Sequence, residues 1–195
     1  MNFLAIDTGG THLTVIVNCN GKKAVRYTND CAHLHSVRLM DEINSAFEEA
    51  GATPNDCDFF AVVVGPGSFT GIRIGIATIK GLCFACEKKA LALTSFSVAA
   101  YSVKSEKPLA LVNAGHGAYY AHWENNSAYI TAEEAQALIK EGYEAISFEP
   151  LPLPTKVGNP AQGLEEAVKA GAGALVRAEQ IQAEYLRKSS AEEGR

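Results

Sequence analysis

Three stretches of this 195-residue chain hold residue types that could do chemistry. The first is "AIDTGGTH", where Asp7 ends an apolar run and Thr8, Gly9, Gly10 and Thr11 follow. A turn of that composition can aim backbone N–H groups at a phosphate and hold a carboxylate beside a metal. It can equally be a plain hairpin turn. The second is "GPGSFTGIRIGIATIKGLCFA", Gly65–Ala85, a glycine-rich turn running into a helix. It fails the Walker template, which needs a wider glycine spacing and then Lys and Ser or Thr. It also fails the dinucleotide template, because Thr70 stands where the third glycine belongs. What remains is a tight structural turn of Gly65, Pro66 and Gly67, with Ser68 or Thr70 capping a helix that includes Gly71. Such a helix end can also receive an anion. The third set is sulfur and imidazole. Cys83 and Cys86 form a C-x-x-C with no second pair and fall mid-helix, which reads as core. His33 and His35 lack the two further ligands of a zinc site and read as a helix entrance or surface. His116 and His122 lie in or beside a hairpin and carry no assigned role.

The elements that position these residues follow from pattern. "NFLAID" and "HLTVIVN" are β-rich runs joined at Thr8–Thr11, and Asn20-Gly21 is a hairpin turn into "KKAVRYT", so three antiparallel strands open the chain. A helix is predicted over Ser36–Ala50, with Leu39, Met40, Ile43, Ala46, Phe47 and Ala50 on its inward face and Gly51 as its stop. "DFFAVVVG" is a strand of a covered sheet, followed by the glycine loop, the long helix, a strand at "ALAL" and a helix from Ser95. From Pro108 the pattern starts again, with strands at "PLALVNA", "AYYAHWE", "AYI" and "EAISF". Between the last two, "TAEEAQALIKEG" is a helix with a Thr131–Glu134 capping box. "GLEEAVKAG" is a final helix. The expected division is residues 1–104, 105–188 and a disordered tail at 189–195.

On a helical wheel, Ile72, Gly75, Ile76, Ile79, Leu82, Cys83 and Cys86 make one apolar face of the long helix. Ile74, Ala77, Gly81 and Phe84 make a second stripe opposite. Arg73 and Lys80 divide the two on one side, Gly71, Thr78 and Ala85 on the other. A helix apolar on both sides needs cover on both. The second lobe is one candidate for that cover and a partner protein is the other; small residues with one Phe anchor favour the partner.

Composition bounds the function. Hydrophobic residues at 47% and charged residues at 20% are ordinary for a globular protein. A net charge of −5, with basic residues scattered, argues against this chain gripping nucleic acid by itself. Apolar runs such as "FFAVVV" are expected to be too short to cross a bilayer. "MNFLAIDTGG" lacks the pattern of a secretion signal, and five irregularly spaced cysteines are expected to stay reduced in a cytoplasm.

"GPGSFTGIRIGIATIKGL" resembles the signature of the TsaB (YeaZ) family of tRNA threonylcarbamoyladenosine proteins. "LAIDT", "HSVRLMDEINSAFEEAG" and "TSFSVAA" extend the resemblance over most of the first lobe. "PLALVNAGHGAYYAHW" and "YLR" at Tyr185–Arg187 continue it more weakly. The resemblance implies an α/β fold of two ribonuclease-H-like lobes, as in the actin and sugar-kinase superfamily, the second lobe here being short. It implies a non-catalytic subunit that binds and activates a TsaD-type subunit, the one that transfers threonylcarbamoyl to the tRNA adenosine beside the anticodon. It further implies help in docking a TsaE-type ATPase, a homodimer when alone, and tRNA contact only through the complex. A cytoplasmic location follows, with no membrane. TsaD-like relatives hold a metal with a His-x-x-x-His pair, and the corresponding places here are Ser95 and Ala99, which implies no metal and no cofactor. The first two helices of the first lobe form the family's dimer surface, here His35, Arg38, Arg73, Ile74, Ala77, Thr78, Lys80, Gly81 and Phe84.

Two rival classes carry over. An ATP-dependent kinase of the same fold would use Asp7 with the Gly9-Gly10 turn, which is closer to the nucleotide-binding form than the usual TsaB turn. It would also want an acid in "NAGHG", Asn113–Gly117, which has none. A metallopeptidase would want the missing histidine pair.

Overall fold

The computed structural model describes residues 1–31 and 33–186. β1 (Phe3–Asp7) is buried along its whole length because it is the central strand of a sheet covered on both faces. β2 (Leu13–Cys19) pairs with it antiparallel, and β3 (Lys22–Thr28) pairs with β2 across the Asn20-Gly21 turn. Both turn residues have positive φ, 54° and 77°, as a two-residue hairpin matching strand twist requires. β4 (Phe59–Val63) and β5 (Lys89–Leu93) add in parallel on the other side, giving the order β3-β2-β1-β4-β5.

Two helices cover one face of this sheet. α1 (His35–Ala50) buries His35, Leu39, Ile43, Ala46, Phe47 and Ala50 and stops at Gly51 in the left-handed conformation. Met40, expected on that face, is 46% exposed. It lies one residue beyond Leu39, so the 100° step per residue carries it out of the buried sector. α2 (Phe69–Cys86) buries Ile72, Gly75, Ile76, Ile79 and Cys83 against β1, β4 and β5. Leu82 and Cys86, placed on the same face by periodicity, are half-buried at its rim. With 18 residues and a mean hydropathy of 1.4, α2 is by length and composition long enough to cross a membrane, against expectation. A core helix of a globular protein passes the same test, and the inward side of α2 is bedded on its own sheet.

The chain then repeats itself. α3 (Ser95–Ser102) leads to β6 (Pro108–Gly115), β7 (Ala118–Trp123) and β8 (Asn126–Thr131), followed by α4 (Ala132–Lys140), β9 (Glu144–Ser147) and β10 (Thr155–Val157). The second sheet runs β8-β7-β6-β9-β10, the same order and the same mix of antiparallel and parallel pairs as the first. That duplication is the ribonuclease-H-like pair expected from sequence. The second lobe is short because β9 and β10 are joined by a loop where the first lobe has α2. β10, a strand the sequence pattern missed, has three residues.

One expectation about domain limits is corrected. α5 (Pro160–Gly171) follows β10 in sequence, yet its Leu164, Ala167 and Val168 pack on Phe3, Ala5, Ile16, Phe59 and Leu91 of the first sheet. α3, in turn, packs its Phe96 and Ala99 on Ala110 and Ile146 of the second. The two helices cross closely at Gly163, where a Cβ would strike the Val98 carbonyl. Beyond α5, Val176 bridges Ala90, and the Glu184 N–H donates to the Val64 carbonyl at 2.8 Å. The lobes are therefore not the contiguous blocks 1–104 and 105–188. The uncovered apolar face of the first sheet draws the later chain back over it. The tail expected at 189–195 lies outside the described residues.

Candidate functional site

Asp7 sits at the end of β1 with 2% of its surface exposed, and His12 at the start of β2 with 3%. One carboxylate oxygen accepts the Gly9 N–H at 2.8 Å, and the other faces His12 Nε2 at 3.2 Å. Burial works to raise the Asp7 carboxyl. The hydrogen bond and charge of His12, with the Gly9 N–H, outweigh it and hold the group below the usual carboxylate range. The His12 ring is stacked over Tyr27 at 6.0 Å and meets the edge of Phe148 at 5.5 Å, while its backbone carbonyl accepts from His35 Nε2 at 2.9 Å.

The turn itself is consumed by the fold. The Thr8 hydroxyl donates to the Gly71 carbonyl at 2.7 Å, and the Ser68 N–H donates to the Gly9 carbonyl at 2.7 Å. Here lies the reason for the glycine-rich motif. A Cβ at Gly67 would overlap the Gly9 carbonyl, one at Gly71 the Thr8 carbonyl, and one at Gly75 would come within 2.5 Å of Thr8 Oγ1. The glycines let the start of α2 lie directly on the β1–β2 turn. Ser68 caps α2 by accepting the Gly71 N–H; Thr70 is exposed and caps nothing. Gly65 and Pro66 complete the loop, and the Gly65 carbonyl accepts the Ser95 N–H at 2.8 Å.

A cleft between the lobes is walled by Asp7, Gly10, Ser95, Asn113, Phe148 and Glu149. Its cavity volume is ≈ 50 Å³, space for a few waters, whereas ligand sites run to about 300–1,000 Å³. Glu149 is a carboxylate on the far wall that sequence reading missed, since it follows β9 and not the "NAGHG" turn. Ser95 forms part of the same wall, and Ala99 is fully buried against the second sheet. Among the described residues no three His, Cys, Asp or Glu side chains come together as a metal would require.

The second candidate is the outer side of α2. Ala77 and Gly81 are exposed, Phe84 is 61% exposed, and nothing stands within 4 Å of the position a Gly81 Cβ would take. Ile74 is half-buried and leans on the core beneath, and Thr78 and Lys80 are half-buried beside it. The C-terminal lobe does not cover this stripe. α1 packs alongside α2 and adds Val37 at 67% and Met40 at 46% exposure, two residues sequence reading left out of the surface. Arg38 is exposed on α1.

Two expected contact residues are already engaged. His35 is 2% exposed and bonded to the His12 carbonyl, so its role is internal, which corrects its assignment to a partner surface. Its position as the first residue of α1, facing the sheet, accounts for that burial. Arg73 remains exposed. Its Nε donates to the Tyr185 hydroxyl at 3.1 Å, and its guanidinium lies 3.6 Å over the Phe69 ring, which in turn meets Tyr185 at 5.3 Å.

Comparison with known proteins bears on these features. A family model described as TsaD, tRNA N6-adenosine threonylcarbamoyltransferase, matches residues 29–182. The tRNA threonylcarbamoyladenosine biosynthesis protein TsaB of Buchnera aphidicola is 32% identical over 70% of this chain and 68% of its own length. The TsaB of Escherichia coli is 27% identical over 72% of this chain and 63% of its own length, and that of Bacillus subtilis 31% over 51% and 44%. The chain thus spans about two thirds or less of these relatives. The solved structure of YeaZ from Pseudomonas aeruginosa superposes with a TM-score of 0.76 over 95% of this chain and 99% of that one, at 22% identity, a likeness of fold.

Proposed function

Because this chain belongs to the TsaB (YeaZ) family of tRNA threonylcarbamoyladenosine biosynthesis proteins, we propose that it is a non-catalytic subunit that docks a TsaD-type transferase through the outer faces of α1 and α2. In that complex it holds the transferase in an active form for the tRNA adenosine beside the anticodon and helps a TsaE-type ATPase to bind. Without the transferase, the same surface pairs two copies of the chain. Contact with tRNA comes through the complex, in the cytoplasm. The observation that supports this reading is the uncovered stripe Ala77, Gly81 and Phe84 of α2, with Val37 and Met40 exposed on the neighbouring α1. Small residues allow a partner helix to approach closely, and an exposed aromatic in an apolar patch is the usual anchor of an interface.

The kinase rival has less to work with. Asp7 is bonded to His12 and Gly9, the Gly9 carbonyl is taken by the Ser68 N–H at the start of α2, and the cleft is small.

The test is Phe84→Glu. Phe84 is mostly exposed, so folding is expected to change little, while a charge in an apolar contact weakens docking by about 2 kcal/mol, roughly thirtyfold. Co-purification with a TsaD-type subunit and threonylcarbamoyladenosine formation by the reconstituted complex read the effect. A folded Phe84→Glu variant that still co-elutes and still supports modification removes this face from the interface.

A further inference from the structure

Two cysteines far apart in sequence meet at the base of the first sheet. Cys19 is the last residue of β2, and Cys57 lies between a one-turn helix, Pro54–Asp56, and the start of β4. β2 and β4 flank β1, so the two residues close in beneath its first positions. Their sulfurs are 3.5 Å apart, a thiol–thiol hydrogen bond across 38 positions of sequence. Both are reduced. A disulfide needs an S–S separation of about 2.05 Å, so each sulfur has to move by about 0.7 Å.

The two side chains are buried, at 0% and 1% exposure, but not deeply along the chain. Asn20 and Gly21 beside Cys19, and Asp56 and Asp58 beside Cys57, are exposed. One cysteine ends a strand and the other belongs to no strand or helix, and such positions open before the body of a sheet does. A small neutral molecule reaches them through that local opening.

We propose that Cys19 and Cys57 form a reversible oxidation site, a dithiol that hydrogen peroxide closes to a disulfide. Burial raises both thiols. The hydrogen bond from Cys57 works against that rise at Cys19, whereas the Cys19 sulfur pushes Cys57 further up. Cys19 is therefore the attacking sulfur and Cys57 the resolving one. The Cys19 thiolate attacks one peroxide oxygen, the O–O bond breaks, and Cys19 becomes a sulfenic acid while the other oxygen leaves as water with the thiol proton. The Cys57 sulfur then attacks the Cys19 sulfur, the S–O bond breaks, and a second water leaves with the Cys57 proton. The sulfurs lose two electrons and the peroxide gains them. The new bond straps the end of β2 to the connection between α1 and β4. It does not depend on the partner reading of the α1–α2 face.

The experiment exposes the folded full chain to hydrogen peroxide, alkylates the remaining thiols in urea, and maps unreduced peptides by mass spectrometry. The peptides of Cys19 and Cys57 are expected to appear joined, two hydrogens lighter than their sum. Closing a loop of that length is expected to raise Tm by roughly 5–15 °C, and dithiothreitol should reverse both changes. Cys86→Ser removes the half-exposed thiol and should leave the link and the Tm rise intact, whereas Cys57→Ala should lose both. The mapping of the native chain and of Cys86→Ser decides the matter even where Cys57→Ala folds poorly. Alkylatable Cys19 and Cys57 after peroxide, a Cys83–Cys86 link in their place, a Cys19–Cys57 link that forms only in urea, or a link that does not raise Tm would each overturn the site.

Discussion

Gly75 and Gly81 are both interior to α2 and lie on opposite sides of it, so replacing each with Ala separates packing from propensity. The helix gains about 1 kcal/mol in either case, because Ala is less costly to order than Gly. At Gly81 nothing stands within 4 Å of the new methyl, so that gain is the net effect. For a chain of this length it corresponds to a rise in Tm of roughly 2–4 °C. At Gly75 the methyl would come within 2.5 Å of Thr8 Oγ1 and 3.3 Å of Val62 Cγ2. Overpacking costs about 1–3 kcal/mol. Displacing the Thr8 hydroxyl from the Gly71 carbonyl, a buried bond of 2.7 Å, costs about 1 kcal/mol more. After the propensity gain the net loss is about 2 kcal/mol, a fall of roughly 4–8 °C. Thermal and urea unfolding by circular dichroism measure both, over a concentration series, since self-association would add stability by mass action. Gly81→Ala should also weaken transferase docking while it stabilises the fold, which is the signature of a face held open for a partner. A destabilised Gly81→Ala in dilute solution would show that the outer side of α2 is covered within the chain, and the reasoning from the exposed stripe would fail.

Two further outcomes are expected. Asp7 has a folded pKa below its ordinary 3.8, so its contribution is complete above about pH 4–5 and is lost as the pH falls through the folded value. Asp7→Asn should lower stability at pH 7 by about 2 kcal/mol and flatten the acid limb of a stability–pH profile; an unchanged acid limb would mean the His12 pairing adds nothing. Among the cysteines, burial pushes Cys83 up to about 11 and raises Cys19, Cys31 and Cys57 as well, while Cys86 is half-exposed. Iodoacetamide on the native chain should therefore mark Cys86 first by peptide mass spectrometry, and equal labelling of Cys83 would contradict its placement on the buried face of α2.

Local physics was legible in the residues themselves. The Asn20-Gly21 turn, the Thr131–Glu134 cap, the Gly51 stop and the two-sided apolar pattern of α2 each arise from neighbours within one turn or one pleat, where periodicity and side-chain chemistry decide the conformation. The recurrence of the strand pattern after Pro108 likewise announced a duplicated sheet. What neighbours in sequence could not decide were contacts across long loops. His35 read as a surface residue because its partner, the His12 carbonyl, is 23 positions away. Met40 and Leu39 are adjacent apolar residues, and only the direction of the sheet chose which one to bury. α5 looked like part of the second lobe, yet its apolar side packs on the first sheet. The glycines of the Gly65 loop were readable as a turn. That they exist so two backbones can touch was settled only when α2 came to rest on the Thr8–Gly10 turn, because a missing Cβ has meaning only in the presence of the atom that would collide with it.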